Sequence, residues 1–465
     1  MLDKAPNTSR RNFLKRSTGA ALGGIAAPWL LNLSALANAS AAGGGDYKAM
    51  VCIFLSGGND QANTIVPYDS GNHELYRRFR PSFAYARERL AATKLLPQNS
   101  VRDAAGFAHE YALAPELAPL LPLFDAGRLG VVLNMGPLTE PTTKQAYLNN
   151  AVRLPPKLFS HNDQQSVWQS SLPEGAASGW GGRIGDLLLA ENANPMFSCV
   201  NVAANTVFLS GRTAMQYLVS SKGPVAMNAL KAPLFGSAAC STALRALISA
   251  PRAHLLEREY NRVNKRALEA DELLTSALAA APVLNTEFPG ANDLARQLRM
   301  VARMIAVAPA LGVRRQIFFV SMGGFDQHND MLADHPPLLA QLGAAMAAFY
   351  AATAELNVAE RVTAFTASEF GRTLGGNGKG SDHGWGSMQF VMGGAVRGGR
   401  YYGTAPILAN DGPDDVGRGR LLPTTSVEQF AATMASWLGV SDSNLLDLLP
   451  NLANFDAGAR KLAFV

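Results

Sequence analysis

The sequence predicts an α/β protein built on a mostly parallel sheet flanked by helices. Three observations predict it: short, fully apolar runs recur along the chain, helical patterns separate them, and polar, glycine-flanked clusters follow directly on several runs. Strands that are apolar on both faces belong to sheets covered on both sides. Alternation of strands with helices favours parallel pairing. In such sheets ligands sit beyond the carboxyl ends of the strands, so the polar clusters mark a candidate site.

The first run, Ala49 to Leu55, is closed by Ser56-Gly57-Gly58. Leu129 to Leu133 ends at Asn134, and Gln316 to Val320, Val362 to Phe365 and Gln389 to Met392 complete the expected strands. Helical periodicity covers Leu113 to Phe124, Asn292 to Val307, Pro337 to Leu356 and Val427 to Leu438. The last opens on Thr425-Ser426-Val427-Glu428, which reads as a capping box. The stretch from about 205 to 290 is alanine-rich, carries Leu255, Leu256, Tyr260 and Val263 at helical spacing, and has no strand-end cluster. It is expected to be a mainly helical insertion. Gly375 to Gly380 reads as a surface loop.

Ser9-Arg10-Arg11-Asn12-Phe13-Leu14-Lys15 is a twin-arginine motif, followed by an apolar stretch from Gly19 to Leu33 and an Ala37-Asn38-Ala39 cleavage site, with Ala39-Ser40-Ala41 as a second option. The stretch contains Gly23, Gly24, Pro28 and Asn32 and is short for a stable span. Residues 1–39 are therefore expected to be a signal peptide handled by the twin-arginine export machinery. Residues 40–465 are expected to be a single domain, periplasmic or secreted. The signal carries Lys4, Arg10, Arg11, Lys15 and Arg16 against Asp3, so +4 of the chain's +5 leaves with it. A mature charge near +1, with no basic run, argues against a nucleic-acid partner. No later stretch of 18 apolar residues occurs, so no stable membrane span is expected after signal removal. Cys52, Cys199 and Cys240 allow one disulfide at most and have no metal-type spacing, and Cys52 reads as a core residue. No cysteine cluster or dinucleotide fingerprint points to a redox cofactor.

The clusters carry the chemistry. Asp326 and His328 stand two apart in Gly323-Gly324-Phe325-Asp326-Gln327-His328, on the same side of an extended chain, and suit one cation. Glu369, in Ser368-Glu369-Phe370-Gly371-Arg372-Thr373, ends a buried run and needs a metal or an ion-pair partner such as Arg372. Asp382-His383 precedes Gly384-Trp385-Gly386 and is either a ligand pair or a turn with His383 packed on Trp385. Asn59-Asp60 is either a helix cap or an oxyanion donor followed by a metal ligand. Ser160-His161-Asn162-Asp163-Gln164-Gln165 precedes a helix. There Ser160 either closes a capping box with Asp163 or offers a nucleophilic hydroxyl at a helix N-terminus. His73, His109, His254 and His335 lie outside such contexts and read as ordinary solvated or core histidines.

Taken together, the twin-arginine start, Phe54 to Asp60, Ser160 to Gln165, Gly323 to His328, Ser368 to Arg372 and Asp382 to Gly386 resemble the bacterial domain-of-unknown-function family 1501 over nearly the whole chain. That resemblance implies the alkaline phosphatase-like fold, shared with sulfatases and cofactor-independent phosphoglycerate mutases: a doubly wound, mostly parallel sheet with two metal positions at the strand ends. It implies Asp60 as the first-strand ligand, Asp326 and His328 as the mid-chain pair, Glu369 as the acid of the next strand, His383 as the late histidine and Ser160 as nucleophile. Two departures stand out: the mid-chain pair is spaced by two rather than four, and Glu369-Phe370 replaces an Asp-His pair. The expected function is an exported metal-dependent hydrolase cleaving phosphate or sulfate esters of small molecules or glycans. Ser160, Asn59 and Arg372 would be catalytic, and Asp60, Asp326, His328, Glu369 and His383 would hold one or two divalent ions (Zn, Mg, Mn or Ca). The alternative is a non-catalytic periplasmic metal- or ligand-binding protein on the same fold.

Overall fold

The computed structural model describes residues 47–225, 230 and 232–465; the expected export signal lies outside them. Each apolar run picked out in the sequence is a strand of one ten-stranded sheet. In chain order the strands are β1 (Lys48–Leu55), β2 (Leu129–Gly136), β3 (Cys199–Asn201), β4 (Gln216–Ser220), β5 (Gly223–Pro224), β6 (Arg315–Met322), β7 (Val362–Ala367), β8 (Ser387–Gly393), β9 (Tyr401–Tyr402) and β10 (Thr425–Ser426). They stand in the order β9-β2-β8-β7-β1-β6-β3-β4-β5, with β10 also on β2. β1 pairs in parallel with both β6 and β7, whereas β8 runs antiparallel between β7 and β2. The sheet is therefore mixed but mostly parallel, as expected.

Seven helices matter below: α1 (His161–Ser170), α2 (Trp180–Leu188), α3 (Ala238–Ser249), α4 (Leu255–Ala279), α5 (Asp293–Ala306), α6 (Met331–Glu355) and α7 (Val427–Leu438). Strand β1 shows why the runs lack alternation. Ala49, Val51, Ile53 and Leu55 face a core completed by α5 and α6, and Met50, Cys52 and Phe54 face a second core completed by α1, α2 and α7. Burial on both faces leaves no position for a polar side chain. Helix α6 is long and apolar enough by composition to cross a membrane, yet Leu339, Leu342, Met346 and Phe349 are buried in the first core. Cys52 is buried as expected, and Cys52, Cys199 and Cys240 are all free thiols.

Local departures have local causes. The helix expected from Leu113 to Phe124 is broken into a 3-10 turn, Pro115–Leu120, and a short helix, Leu121–Asp125. Pro115, Pro119 and Pro122 remove the backbone donors a continuous helix needs. Helix α7 starts where expected, but Ser426 is its cap and Gln429, rather than Glu428, closes the box. The 205–290 stretch holds α3 and α4 and also supplies β4 and β5 to the sheet edge, so it is not purely helical. On α4 the buried side is Leu268, Leu274 and Leu278, while Leu255, Leu256 and Tyr260 are exposed.

Candidate active site

Because β1 lies between β6 and β7 in parallel, three chain segments leave the same edge side by side. They are Ser56 to Asp60, Gly323 to His328 and Ser368 to Arg372. Glycine permits the crowding: Gly57 has φ +118°, and a Cβ there would lie 2.3 Å from the Asp326 backbone nitrogen. A hairpin, Arg372–Gly376 with Ser381–His383, folds over this edge and delivers Asp382 and His383. Gly380 lets it pack, since a Cβ there would meet the Gln327 carbonyl at 2.2 Å. Helix α1 brings its first residue, His161, to the same place.

Three imidazoles converge on Asp326. His383 Nε2 and His328 Nε2 each lie 3.1 Å from Asp326 Oδ1, and 2.9 Å from each other. His161 Nε2 lies 3.3 Å from Asp326 Oδ2, is buried, and makes no hydrogen bond. One donor atom from each of His161, Asp326 and His383 falls within 4.8 Å of the other two. The opposite nitrogen of every ring meets an acceptor: His161 Nδ1 at Glu369 Oε1 (2.9 Å), His328 Nδ1 at Asp382 Oδ1 (3.1 Å) and His383 Nδ1 at the Phe159 carbonyl (2.7 Å). Assigning Nδ1–H to those acceptors leaves three Nε2 lone pairs aimed at one carboxylate. Phe159 holds its carbonyl there with φ +73°, a costly conformation for a bulky residue.

The electrostatics follow from these contacts. Burial pushes the Asp326 carboxyl up, but the Arg372 guanidinium and the close approach of the His383 imidazole outweigh it and hold the group down at about 2. The hydrogen bond to Glu369 raises His161, against burial, while burial lowers His383. Burial opposes but does not cancel the contacts of His328 and Asn377 that lower Asp382. Asp326 is 45% exposed, so the cluster opens to solvent. Acceptors this close repel unless a proton or cation lies among them. Three imidazoles with a carboxylate, oriented by outer acceptors and open on one side, fit a divalent ion of the zinc class better than magnesium or calcium.

The structure thus brings together three expected ligands, Asp326, His328 and His383. Glu369 is fully buried and sits behind His161, also accepting from the Gly57 amide (2.9 Å) and Gln165 Nε2 (3.1 Å). It orients a ligand rather than facing the shared space, and its partner is His161 rather than Arg372. Asp60 is elsewhere: its carboxylate accepts from Arg80 Nη1 at 2.6 Å, Ser381 Oγ at 2.8 Å and the Asn63 amide at 3.0 Å. The cap reading of Asp60 describes it better than the ligand reading.

The three expected catalytic side chains are also otherwise engaged. Asn59 Oδ1 accepts from His335 Nε2 (3.1 Å) and its amide group meets Thr64 Oγ1 (3.1 Å), so it offers no oxyanion donor. Arg372 is fully buried, donating to Asp326 Oδ1 (2.9 Å) and to the Gly57 and Ser381 carbonyls. Ser160 caps α1 by position only, because its hydroxyl donates to Asp163 Oδ2 (2.9 Å) and neither half of a capping box forms. The cluster member that the sequence reading did not single out as a ligand is His161. One signal was present: His161, His328 and His383 are the three histidines of seven that stand inside polar clusters next to predicted elements.

The family described as "Protein of unknown function (DUF1501)" matches residues 47–450. No curated protein matches the chain. Among solved structures the chain is similar to the PsFucS1 sulfatase from Pseudoalteromonas sp., at 11% identity over 91% of this chain and 73% of that one, TM-score 0.34. It is similar also to Ps i-CgsB, at 11% identity over 88% of this chain and 77% of that one, TM-score 0.33, which has been solved with a neocarrahexaose as well. Neither likeness bears on chemistry.

Proposed function

We propose that this chain, which belongs to the DUF1501 family, is an exported metal-dependent hydrolase that cleaves phosphate or sulfate esters with water. The observation that carries the reading is the convergence of three Nε2 lone pairs on Asp326 at a solvent-open strand edge. His161, Asp326, His328 and His383 would hold a single ion. When bound, a divalent ion there supplies charge stabilisation for an ester oxygen and a more acidic water. Glu369, Asp382 and the Phe159 carbonyl keep the imidazoles in the required tautomer, and Arg372 keeps Asp326 ionised and in place. Water is the attacking group in this reading because the Ser160 hydroxyl points to Asp163. The twin-arginine motif supports action outside the cytoplasm.

The test is to purify the mature chain, measure bound metal, and assay phosphate and sulfate esters before and after chelation. One equivalent of a transition metal is expected, with turnover lost on chelation and restored by Zn²⁺ or Mn²⁺. Metal retained without turnover on any ester leaves the non-catalytic binding protein; no metal uptake at all removes the hydrolase reading.

A further inference from the structure

A cavity of about 480 Å³ adjoins the cluster at the carboxyl ends of β1 and β6, within the size range of small-molecule sites. Helix α1 joins the two. His161 and Gln165, one turn apart, both meet Glu369 Oε1, and Gln165 also lines the cavity. The other polar groups of its wall are mainly amides and hydroxyls, among them Ser56, Asn162, Asn205, Thr206 and Ser321. Neither Lys nor Arg lines it, and Glu174 is its one charged residue. Among the described residues, Asn162, Asn205 and the hydroxyls of Ser56 and Ser321 make no side-chain hydrogen bond within the chain. The rings of Phe54 and Phe319 line it as well. A second cavity of about 510 Å³ shares Ala204 and Ser321 with the first and continues past Gln297 to Ser220 and Ser221.

We propose that this groove seats the alcohol portion of the ester, and that this portion is an uncharged sugar or short neutral oligosaccharide. The proposal rests on the hydrolase reading above and names its substrate class. Amide and hydroxyl groups both donate and accept, which matches the ring hydroxyls of a sugar. An apolar ligand would strip these groups of water without replacing their hydrogen bonds. A polyanionic chain would find no cation in the groove and would meet Glu174. The charged part of the substrate then stays at the imidazole cluster while the groove reads the neutral remainder.

The experiment is calorimetric titration of the metal-loaded mature protein with neutral gluco-, galacto- and xylo-oligosaccharides and with sulfated and uronate-containing ones. At least one neutral series should bind more tightly than any polyanionic chain. Asn162→Leu and Asn205→Leu, both at exposed positions, should each weaken that binding about tenfold, with metal content and melting temperature unchanged. Tighter binding of the polyanions, or wild-type affinity in the double variant, overturns the proposal. Neutral sugars bound without ester turnover would uphold the groove and remove the hydrolase reading; turnover indifferent to the sugar would do the reverse.

Discussion

Two aspartates leave the same sheet edge after paired glycines, and they end in opposite states. Asp60 is 2% exposed, with Arg80, Ser381 and Asn63 taking both of its oxygens. Asp326 is 45% exposed and faces three imidazole nitrogens at 3.1 to 3.3 Å. Their local sequences are nearly interchangeable as signals. What separates them is the company other segments bring: Asp60 receives Arg80 from the helix Ser70–Phe79 and its end, Asp326 receives His161 and His383. A closed ion pair has no coordination left to offer, whereas an open ring of acceptors has what a cation requires.

The largest test of this contrast is Asp326→Asn. It should abolish stoichiometric metal uptake, measured by elemental analysis, and reduce ester turnover to background. Retained metal would mean that the cluster is not one coordination sphere. The opposite arm is Arg80→Met, which strands a buried carboxylate and should destabilise the fold by about 3–5 kcal/mol in denaturant titration. Metal affinity of the remaining folded protein should be unchanged. If both variants lose metal equally, the two clusters are not separable.

His335, beneath the closed cluster, sharpens the contrast through pH. Burial holds it down at about 4, against about 6.5 unfolded, and its Nδ1 has no partner. A depressed folded value means stability is complete above about 6.5 and is lost as pH falls through 4, because only the unfolded chain takes up the proton in that window. The loss should be of order 3 kcal/mol, and His335→Gln should flatten the profile. A wild-type slope that survives in the variant would assign the effect to another group. The smallest expected effect is Glu369→Gln. It should weaken metal binding about 10–100-fold with little change in fold, as removal of an orienting partner does. Unchanged affinity would detach Glu369 from the site.

Much of this is legible in the sequence. Apolar runs such as Ala49 to Leu55 became strands because burial on both faces demands them, and Asp326, His328 and His383 were readable as acids and imidazoles released at strand ends. Other assignments failed for a shared reason. Glu369 and Arg372, three apart, looked like a pair, yet each found a better partner 208 and 46 residues away. Ser160 stands in a motif whose contact with the cluster belongs to the next residue, because helix α1 aims its first side chain, rather than its cap, at Asp326.

Periodicity and glycine placement act over a few residues, so they set the strand and helix pattern, the class of sheet and the edge at which polar groups collect. Which acid is closed by an arginine and which is ringed by histidines is fixed by long-range packing alone. That choice depends on distances of about 3 Å between side chains far apart in the chain, where hydrogen bonding and desolvation are settled pair by pair.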